Sequence, residues 1–270
     1  GWGHESAMMM PACPICYGTS ATRLGVFPYV QCKTCGGVQR STPGPPPQTL
    51  IPLTLGSYRG DVALKRPINR ERIAWLLRLS HLRPGTVADI GSKDGSVLEV
   101  LRAAGWNAFG YDPDTRFHPF AARELGVRIS ADLFTAETTS PNSLDLVTAF
   151  HVIEHMRDPW PWLTAIHRAL RPDGMLYIET PNLHTIQLRQ LQPEHVVLYT
   201  AASLAQMLTN AGFAIQHLSA YAPGGNRTYD QLALIATRDR APTSRSWQFD
   251  PADAMVSVAV VRAAGERTPT

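Results

Sequence analysis

Short apolar runs alternate along this chain with stretches whose apolar residues recur at helical spacing. The runs predict strands, and one of them, ending at Asp89, leads through a glycine-containing turn into a helical stretch. The run at 144–150 is almost continuously apolar, which is typical of a buried parallel strand. The predicted strands are residues 87–89, 108–111, 127–129, 144–150, 175–178, 213–221 and 231–237. This alternation predicts an α/β fold with a doubly wound, mostly parallel seven-stranded sheet.

Capping residues and prolines set the expected helix ends. Asn69 is the expected N-cap of a helix that stops before Pro84, and Asp158 begins another with Pro159 at its first position. Thr200 or Ser203 begins a helix that closes at Gly212. A helix at 117–125 and a last one at 251–264 complete the prediction, with a turn at 171–174 between strands.

Composition divides the chain into four predicted parts. Its 270 residues, 44% of them hydrophobic, suffice for one α/β core and a small appendage. Residues 41–56 contain five prolines and predict an extended linker. We predict a metal-binding ribbon at 8–40, a linker and lid segment at 41–68, the sheet domain at 69–240 and a tail at 241–270, with residues 1–7 a leader outside the fold.

Charge and hydropathy argue against two classes of partner, nucleic acids and membranes. The net charge of +3 is small, whereas a dedicated nucleic-acid binder is usually more basic and its cations more clustered. No apolar run approaches about 18 residues, so no membrane span is expected. With no signal-peptide pattern either, we expect a cytoplasmic protein.

Four cysteines fall early in the chain as two Cys-x2-Cys pairs separated by fifteen residues: Cys13, Cys16, Cys32 and Cys35. This is the spacing of a zinc ribbon, in which each pair turns two sulfurs towards one tetrahedral ion. Four thiolates would fill the coordination sphere of Zn²⁺, so the ion would be structural. Two disulfides or free thiols are the alternatives.

The turn at 91–95 predicts a nucleotide-type ligand. A strand, a glycine turn and a helix together place a ligand beyond the strand's carboxyl end, and glycine lets the backbone approach it. Asp112, 23 positions after Asp89, ends the next strand, where a carboxylate suits the two hydroxyls of a ribose. Asp132, after the third strand, lies where an acid can reach an adenine amine. The turn lacks the third glycine of Gly-x-Gly-x-x-Gly, so a nicotinamide oxidoreductase is not expected.

The segments 89–95, 111–112, 145–155 and 170–178 resemble, in order, the motifs of class I S-adenosylmethionine (SAM)-dependent methyltransferases. The resemblance spans roughly residues 70–238 and implies their Rossmann-like fold. The glycine turn and the cysteine leader are more narrowly similar to the sugar-nucleotide C-methyltransferases. Glu194-His195 also resembles a Glu-His segment that those enzymes carry near the acceptor.

The resemblance implies a SAM site at the strand ends. The carboxylate of Asp89 would hold the ammonium group of SAM, and Asp112 would hold the ribose. Lys93 either faces solvent or pairs with the carboxylate of SAM. The residues placed against SAM are Asp89, Gly91, Ser92, Lys93, Gly95, Tyr111, Asp112, Asp132, Leu133, Phe150 and His151.

Methyl transfer to a hydroxyl or an acidic carbon needs a group that accepts a proton, and histidine titrates near neutrality. The candidates are His151, His155 and His195 with its neighbour Glu194, and Tyr58 lies where a lid could cover the pocket. We expect a small-molecule acceptor, a sugar nucleotide or secondary metabolite, and a monomer or homodimer.

Three other interpretations stay open. An rRNA methyltransferase can also begin with a zinc ribbon, but between Cys13 and Cys35 the cations are only Arg23 and Lys33. A non-catalytic interaction protein with a degenerate methyltransferase fold is the second. The pattern His151-x-x-Glu-His155 matches inverted zinc peptidases, but it follows a strand where those enzymes need a continuous helix.

Overall fold

A computed structural model describes residues 12–24, 28–42, 53–186, 191–220 and 231–238. The helices are α1 Leu55–Ser80, α2 Ser96–Ala103, α3 His118–Phe120, α4 Trp160–Ala169 and α5 Ala201–Asn210. The strands are β1 Ala21–Arg23, β2 Tyr29–Cys32, β3 Val38–Arg40, β4 Thr86–Ile90, β5 Asn107–Tyr111, β6 Ile129–Ser130, β7 Leu144–Phe150, β8 Leu170–Pro181, β9 Val197–Leu198, β10 Phe213–Ser219 and β11 Gln231–Arg238. A π-helical turn at Ala121–Leu125 continues α3, and 3₁₀ turns lie at Ile153–His155 and Leu183–Thr185.

The main sheet has seven strands in the order β10-β11-β8-β7-β4-β5-β6. Neighbours from β6 to β8 pair in parallel, while β11 is antiparallel to both β8 and β10. The prediction of a doubly wound, mostly parallel sheet is therefore confirmed. From β4 the chain first adds strands on one side and then crosses to β7 on the other, and this reversal opens a crevice at their carboxyl ends.

Helix α1 begins earlier than the sequence pattern predicted. Thr54 caps it in a reciprocal hydrogen-bonded box with Ser57, and the helix continues through Pro67. The prediction that Asn69 is the N-cap is therefore wrong, and the predicted boundary at 68/69 falls inside a helix. A proline within a helix costs about 3 kcal/mol. Lys65 and Arg66, just before the proline, pair with carboxylates of the α2 region and contribute to holding the helix there.

Several other boundaries differ slightly from the predictions. Strand β6 begins at Ile129, and the predicted turn at 171–174 lies within β8, where Asp173 has a φ of 66°. Thr200 caps α5 in a second box with Ser203. The predicted helix at 251–264 and most of the predicted linker lie outside the described residues. None of the described helices combines the length and apolar character that a membrane crossing requires.

The cysteine ribbon, residues 12–24 and 28–42, is an antiparallel sheet in the order β1-β2-β3-β9. Its last strand comes from the main domain, since Val38 of β3 pairs with Leu198 of β9. Trp160 at the start of α4 donates its indole N–H to the carbonyls of Pro14 and Ile15, both at 3.0 Å. Cysteines of the ribbon and side chains of α4 belong to one buried apolar cluster. The ribbon is thus built onto the main domain.

Candidate active site

A cavity of about 1230 Å³ lies at the carboxyl ends of β4, β5 and β7. Its walls come from α1, from the turn after β4, from the loops after β5, β6 and β7, and from residues 192–195. Pockets for one small ligand usually measure about 300–1,000 Å³. This cavity is therefore large enough for two ligands side by side.

The turn between β4 and α2 forms one wall of the cavity. Gly91 and Gly95 have φ angles of 74° and 76°, a conformation that L side chains rarely adopt. A Cβ at Gly91 would lie 2.5 Å from the side chain of Val152, so a larger residue would displace the loop after β7. The N–H of Gly91 donates to the carbonyl of Tyr111 at 2.8 Å, which fixes the turn to the end of β5.

Asp112 connects this turn to the tip of β5. Its Oδ2 accepts the backbone N–H of Lys93 at 2.7 Å, and its Oδ1 accepts that of Asp114 at 2.8 Å. Each carboxylate oxygen keeps a lone pair for a ligand hydroxyl. The side chain of Lys93 is exposed, with its ammonium 5.7 Å from the centroid of the Phe117 ring. The φ of Lys93 is 45°, so this residue serves the turn through its backbone.

Asp89 is the buried acid of the site. Its Oδ1 accepts the hydroxyl of Thr148, on the neighbouring strand β7, at 2.6 Å. The hydroxyl of Ser92 donates to the backbone carbonyl of Asp89 at 2.7 Å. Burial raises the pKa of Asp89 to about 7, and the nearby carboxylates of Asp112 and Asp94 add to the shift. A cation bound in the cavity would favour the ionised form.

The far rim of the cavity combines an acid with exposed apolar surface. Asp132 accepts the hydroxyl of Ser130 at 2.7 Å, and Leu133 is 65% exposed although it is a large aliphatic residue. The ring of Tyr111 also lines the cavity and is anchored by its hydroxyl, which donates to the carbonyl of Thr138 at 3.0 Å. This rim suits a flat ring with an amine at its edge.

Three polar residues of α1 line the cavity and were missed by the sequence analysis: Lys65, Asn69 and Arg72. Lys65 pairs with Asp94 at 2.6 Å, and the amide of Asn69 donates to the hydroxyl of Ser96 at 2.9 Å. Their spacing of four and three residues is that of one helical face. This helical spacing of polar residues was present in the sequence, but the expected helix start at Asn69 divided it.

Buried charges support the loop that follows β7. Glu179 accepts from Arg72 at 2.5 Å and from the hydroxyl of Tyr177 at 2.9 Å. His151 lies 3.1 Å from Glu154 and 3.7 Å from Glu179. Burial alone would lower the pKa of His151, but these two carboxylates outweigh it and raise the pKa to about 9. His151 is therefore a cation at neutral pH.

The pairing with His151 also shifts the pKa of Glu154. Burial would raise the pKa of Glu154, yet its hydrogen bond to His151 lowers the pKa below the ordinary value. Phe150, beside His151, packs against Tyr177 with ring centroids 5.2 Å apart. The 3₁₀ turn that follows begins at Ile153, so the His-x-x-Glu-His pattern does not lie on one helix.

The rings of His155 and His195 lie next to each other in the wall of the cavity. Their rings are 4.9 Å apart in an edge-to-face arrangement, and both line the cavity. His155 is exposed and His195 is buried, while the half-buried Glu194 also lines the cavity. The structure therefore brings together three of the predicted acceptor-side residues.

Tyr58 has a different position from the one expected of a lid. It is buried on α1, stacks on Phe120, and donates its hydroxyl to the carbonyl of Asp94 at 3.0 Å. It is not among the residues that line the cavity. Tyr58 thus supports the glycine turn without contributing to the cavity wall.

The loop that carries His195 is held by the cysteine ribbon. The hydroxyl of Tyr29 donates to the carbonyl of His195 at 3.2 Å, and the N–H of Arg40 donates to the carbonyl of Val196 at 2.9 Å. The N–H of Val196 in turn donates to the carbonyl of Glu154 at 2.8 Å. The loop therefore lies between the ribbon and the turn after β7.

The four cysteine sulfurs form one cluster, with all Sγ atoms within 4.8 Å of one another. Cys13 and Cys35 are 3.6 Å apart, and Cys16 and Cys32 are 3.5 Å apart. Backbone N–H groups of Gly18 and Thr34 donate to Cys16 and Cys32 at 3.4 and 3.3 Å. Hydrogen bonds among the thiols lower the pKa of Cys16 and Cys32 and raise the pKa of Cys13 and Cys35, so the four sulfurs act as one coupled group.

Comparisons with known proteins agree with this geometry. Residues 64–218 match the profile of a family described as "Methyltransferase domain". The ubiquinone biosynthesis O-methyltransferase of Pseudomonas aeruginosa is 31% identical over 124 residues, 43% of this chain and 52% of that protein. The enzyme of that name from Cupriavidus pinatubonensis is 29% identical over 193 residues, 64% of this chain and 75% of that protein. The chain thus spans about half the length of the Pseudomonas relative.

Solved structures share the fold. A Burkholderia thailandensis 1,6-didemethyltoxoflavin-N1-methyltransferase with bound S-adenosylhomocysteine is similar with a TM-score of 0.53 and 19% identity, covering 76% of this chain and 96% of that one. A SAM-dependent methyltransferase from Archaeoglobus fulgidus gives a TM-score of 0.55 at 16% identity, covering 67% and 99%. The family profile covers more than half of the residues. The chain belongs to the methyltransferase domain family.

Proposed function

We propose that the protein is a SAM-dependent methyltransferase that acts on a hydroxyl group or an acidic carbon of a small molecule. The observation that carries this proposal is the shared cavity, which has the glycine turn and Asp112 on one side and His155 and His195 on the other. Its volume accommodates a nucleoside and an acceptor together. The relatives, named as O-methyltransferases, support the same reaction class.

The cofactor side fits SAM group by group. Asp89 would hold the ammonium group, because a cation satisfies a buried carboxylate whose pKa is raised. Asp112 would accept the ribose hydroxyls, and Leu133 with Asp132 would frame the adenine. When bound, SAM supplies a methyl group on a sulfonium centre, and the electrons of the broken C–S bond stay on sulfur. The protein's part is to align the acceptor with that methyl group, an effect worth about 7–11 kcal/mol.

The acceptor side has to manage a proton. The carboxylates of Glu154 and Glu179 beside both ring nitrogens of His151 raise its pKa, which makes it a poor proton acceptor near neutral pH. His155 and His195 are the groups that can either take the proton of the acceptor or make it more acidic. Glu194 and Gln192 line the same wall, so the acceptor meets polar groups from the loop that the cysteine ribbon holds.

We propose a sugar nucleotide or a secondary metabolite as the acceptor. The motif resemblance supports the first, and the relatives, named as O-methyltransferases of ubiquinone biosynthesis, support a small-molecule acceptor. The four reduced cysteines suit a cytoplasmic enzyme, and a monomer or a homodimer accommodates the site.

We also propose that the four cysteines hold structural Zn²⁺. A tetrahedral ion with Zn–S bonds of about 2.3 Å requires sulfurs about 3.8 Å apart, close to the separations in the cluster. The two N–H···S hydrogen bonds stabilise thiolates. Four sulfurs leave no open position, so the ion would be structural and take no part in the reaction.

Calorimetry with SAM, followed by transfer of a labelled methyl group to a panel of sugar nucleotides and phenols, tests the proposed reaction. His195→Gln is expected to lower turnover at least 30-fold while the Kd for SAM changes less than threefold. His81→Asn is the matched control, because His81 caps the C-terminal end of α1 and is not among the residues that line the cavity. Absence of SAM binding by the unaltered protein would refute the proposed function.

A further inference from the structure

Arg72, on α1, lines the cavity but has no part in the proposed contacts to SAM or to the acceptor. Its Nη2 lies 2.5 Å from Oε1 of Glu179, near the carboxyl end of β8, and its guanidinium lies 5.7 Å from the centroid of the Phe150 ring, at the end of β7. The side chain of Arg72 is 15% exposed and that of Glu179 is fully buried. Buried ion pairs are often no more stabilising than apolar residues of similar size, so this pair is better explained by the group that it orients.

Glu179 holds His151 through its backbone and through its side chain. The N–H of His151 donates to the carbonyl of Glu179 at 2.8 Å, and Nε2 of the ring lies 3.7 Å from Oε1 of Glu179. The hydroxyl of Tyr177 donates to Oε2 of the same carboxylate at 2.9 Å. Tyr177 and Glu179 are two positions apart on β8, so their side chains lie on one face of the sheet. The Glu179 carboxylate is thus fixed by Arg72 and Tyr177 beside the imidazole.

The next residue of β8 supports the second partner of the same imidazole. The hydroxyl of Thr180 donates to Oε2 of Glu154 at 2.9 Å, and Oε1 of Glu154 lies 3.1 Å from Nδ1 of His151. Successive side chains of a strand point to opposite faces, which places the Glu179 carboxylate and the Thr180 hydroxyl on different sides of the sheet. Each ring nitrogen of His151 therefore faces its own buried carboxylate.

His151 is held in a backbone conformation that is unfavourable for it. Its φ is 55°, in the left-handed region that residues other than glycine seldom adopt, and such strain is concentrated at functional sites. The side chain is 32% exposed and lines the cavity, whereas the carboxylates of Glu154 and Glu179 are buried behind it. The part of this charged group that reaches the acceptor is therefore the imidazolium.

We propose that Arg72 is a positioning residue for methyl transfer: through Glu179 it fixes the His151 imidazolium beside the acceptor, where this cation stabilises negative charge on the acceptor oxygen. The inference rests on the proposed methyltransferase function and extends it. In the reaction the acceptor proton passes to His155 or His195, the acceptor oxygen or carbon forms the bond to the methyl carbon, and the C–S bond breaks with its electrons on sulfur. A charge that is already in place stabilises the developing anion without having to reorient.

Loss of the Arg72 charge should alter the state of His151. Among the described residues, His151 is then the only cation left beside the Glu179 carboxylate. The imidazole is drawn towards Glu179, and its hydrogen bond to Glu154 weakens. Removal of a neighbouring cation raises the pKa of a histidine, whereas removal of a neighbouring carboxylate lowers it. Substitutions of Arg72 and of Glu179 should therefore shift the pKa of His151 in opposite directions.

The pKa of His151 tests the positioning role directly. It is measured by NMR titration of the imidazole nitrogens in the whole chain, without SAM or acceptor, and His151→Gln identifies the signal. We expect Arg72→Gln to raise this pKa and Glu179→Gln to lower it. Arg66→Gln is the matched control, because it removes an ion pair of the same helix, to Glu99 at 2.8 Å, and Arg66 does not line the cavity. An unchanged pKa in Arg72→Gln would overturn the proposal.

Kinetics then separate positioning from direct binding of the cofactor. Arg72→Gln should lower kcat about 20-fold and leave the Kd for SAM within about threefold, while Arg72→Lys, which keeps the charge, should retain most of the turnover. In a Glu179→Gln background, Arg72→Gln should lower kcat by less than about threefold more, because its partner is already absent. This double variant leaves no unpaired buried charge, so it remains informative if Arg72→Gln does not fold. Equal losses in both backgrounds, or a rise in the Kd for SAM larger than the fall in kcat, would overturn the proposal.

Failure of the proposed function gives a different result. The His151 titration needs no ligand, so an unchanged pKa together with normal turnover of Arg72→Gln would refute the positioning role alone. Absence of SAM binding by the unaltered protein would refute the proposed function, and with it the catalytic role assigned to Arg72.

Discussion

The two sides of the cavity are built in different ways. The proposed cofactor side comes mainly from one stretch, residues 89–112, in which strand ends and a glycine turn are joined by short-range hydrogen bonds. The acceptor side combines the turn at 153–155 with the loop at 192–196 and is supported by Tyr29 and Arg40 of the ribbon. The two ribbon residues lie more than 150 positions before the loop that they support.

This difference implies that damage to one side of the cavity should affect SAM binding and damage to the other should affect methyl transfer. The cofactor side depends on the central parallel strands β4, β5 and β7, which are part of the main core. The acceptor loop depends on a small sheet that, in our proposal, is stabilised by a metal ion. Damage to the ribbon should therefore impair methyl transfer while the protein still binds SAM.

Loss of the cysteine cluster should have the largest effect. Structural zinc contributes about 10–16 kcal/mol in zinc-finger peptides, so Cys13→Ser should release zinc and loosen β3 and β9. We expect turnover to fall at least 100-fold and the Kd for SAM to change less than threefold, measured with metal analysis and calorimetry. Thr34→Ala is the control, because its backbone N–H to Cys32 remains. An equal loss of SAM affinity would show that the two sides are not separate.

Asp112→Ala should produce the opposite pattern. It removes the proposed ribose contacts and the hydrogen bonds to Lys93 and Asp114. Hydrogen bonds to charged groups contribute about 1.5–3 kcal/mol each, so we expect the Kd for SAM to rise about 100-fold in calorimetry. Asp145→Asn is the control. Asp145 is an acid of the same sheet, and it accepts the N–H of Thr86 at the amino ends of β4 and β7. Unchanged affinity would refute the ribose assignment.

The pH dependence of SAM binding should report on Asp89. Its raised pKa favours the protonated form, so its contribution to folding stability is present below about pH 4 and is lost as pH rises through about 7. An ammonium group needs the ionised form, and SAM affinity should therefore rise about tenfold from pH 6 to pH 8. Asp89→Asn should bind more weakly and lose most of this slope. An equal slope in both proteins would mean that another group is responsible.

Two buried tyrosines provide the smallest and most direct comparison. Tyr58 donates to the carbonyl of Asp94 in the cofactor turn, and Tyr29 donates to the carbonyl of His195 in the acceptor loop. Each hydrogen bond is worth about 0.5–1.5 kcal/mol. Tyr58→Phe should raise the Kd for SAM two- to fivefold, and Tyr29→Phe should lower kcat by a similar factor. If each change altered both quantities equally, the two sides would be coupled.

The features predicted correctly from the sequence are those that depend on residues close together in the chain. Alternating apolar runs gave the sheet, and the positions of Asp89 and Asp112 at strand ends follow from local patterns. The polar face of α1 was missed because the expected N-cap at Asn69 divided it, and the ion pairs of Lys65 and Arg66 join segments that are distant in the chain. The support of His195 by Tyr29 could not be predicted, since it depends on the pairing of β3 with β9.

That strand pairing also bears on how the protein is made. Domains form from the N-terminus as a chain leaves the ribosome, so the first three strands of the ribbon can pair long before Leu198 has been synthesised. Until then β3 has an open edge, and unpaired edges promote association between chains. Late arrival of β9 covers this edge and places His195 in the same event. Completion of the small sheet and placement of the acceptor loop would thus be one step.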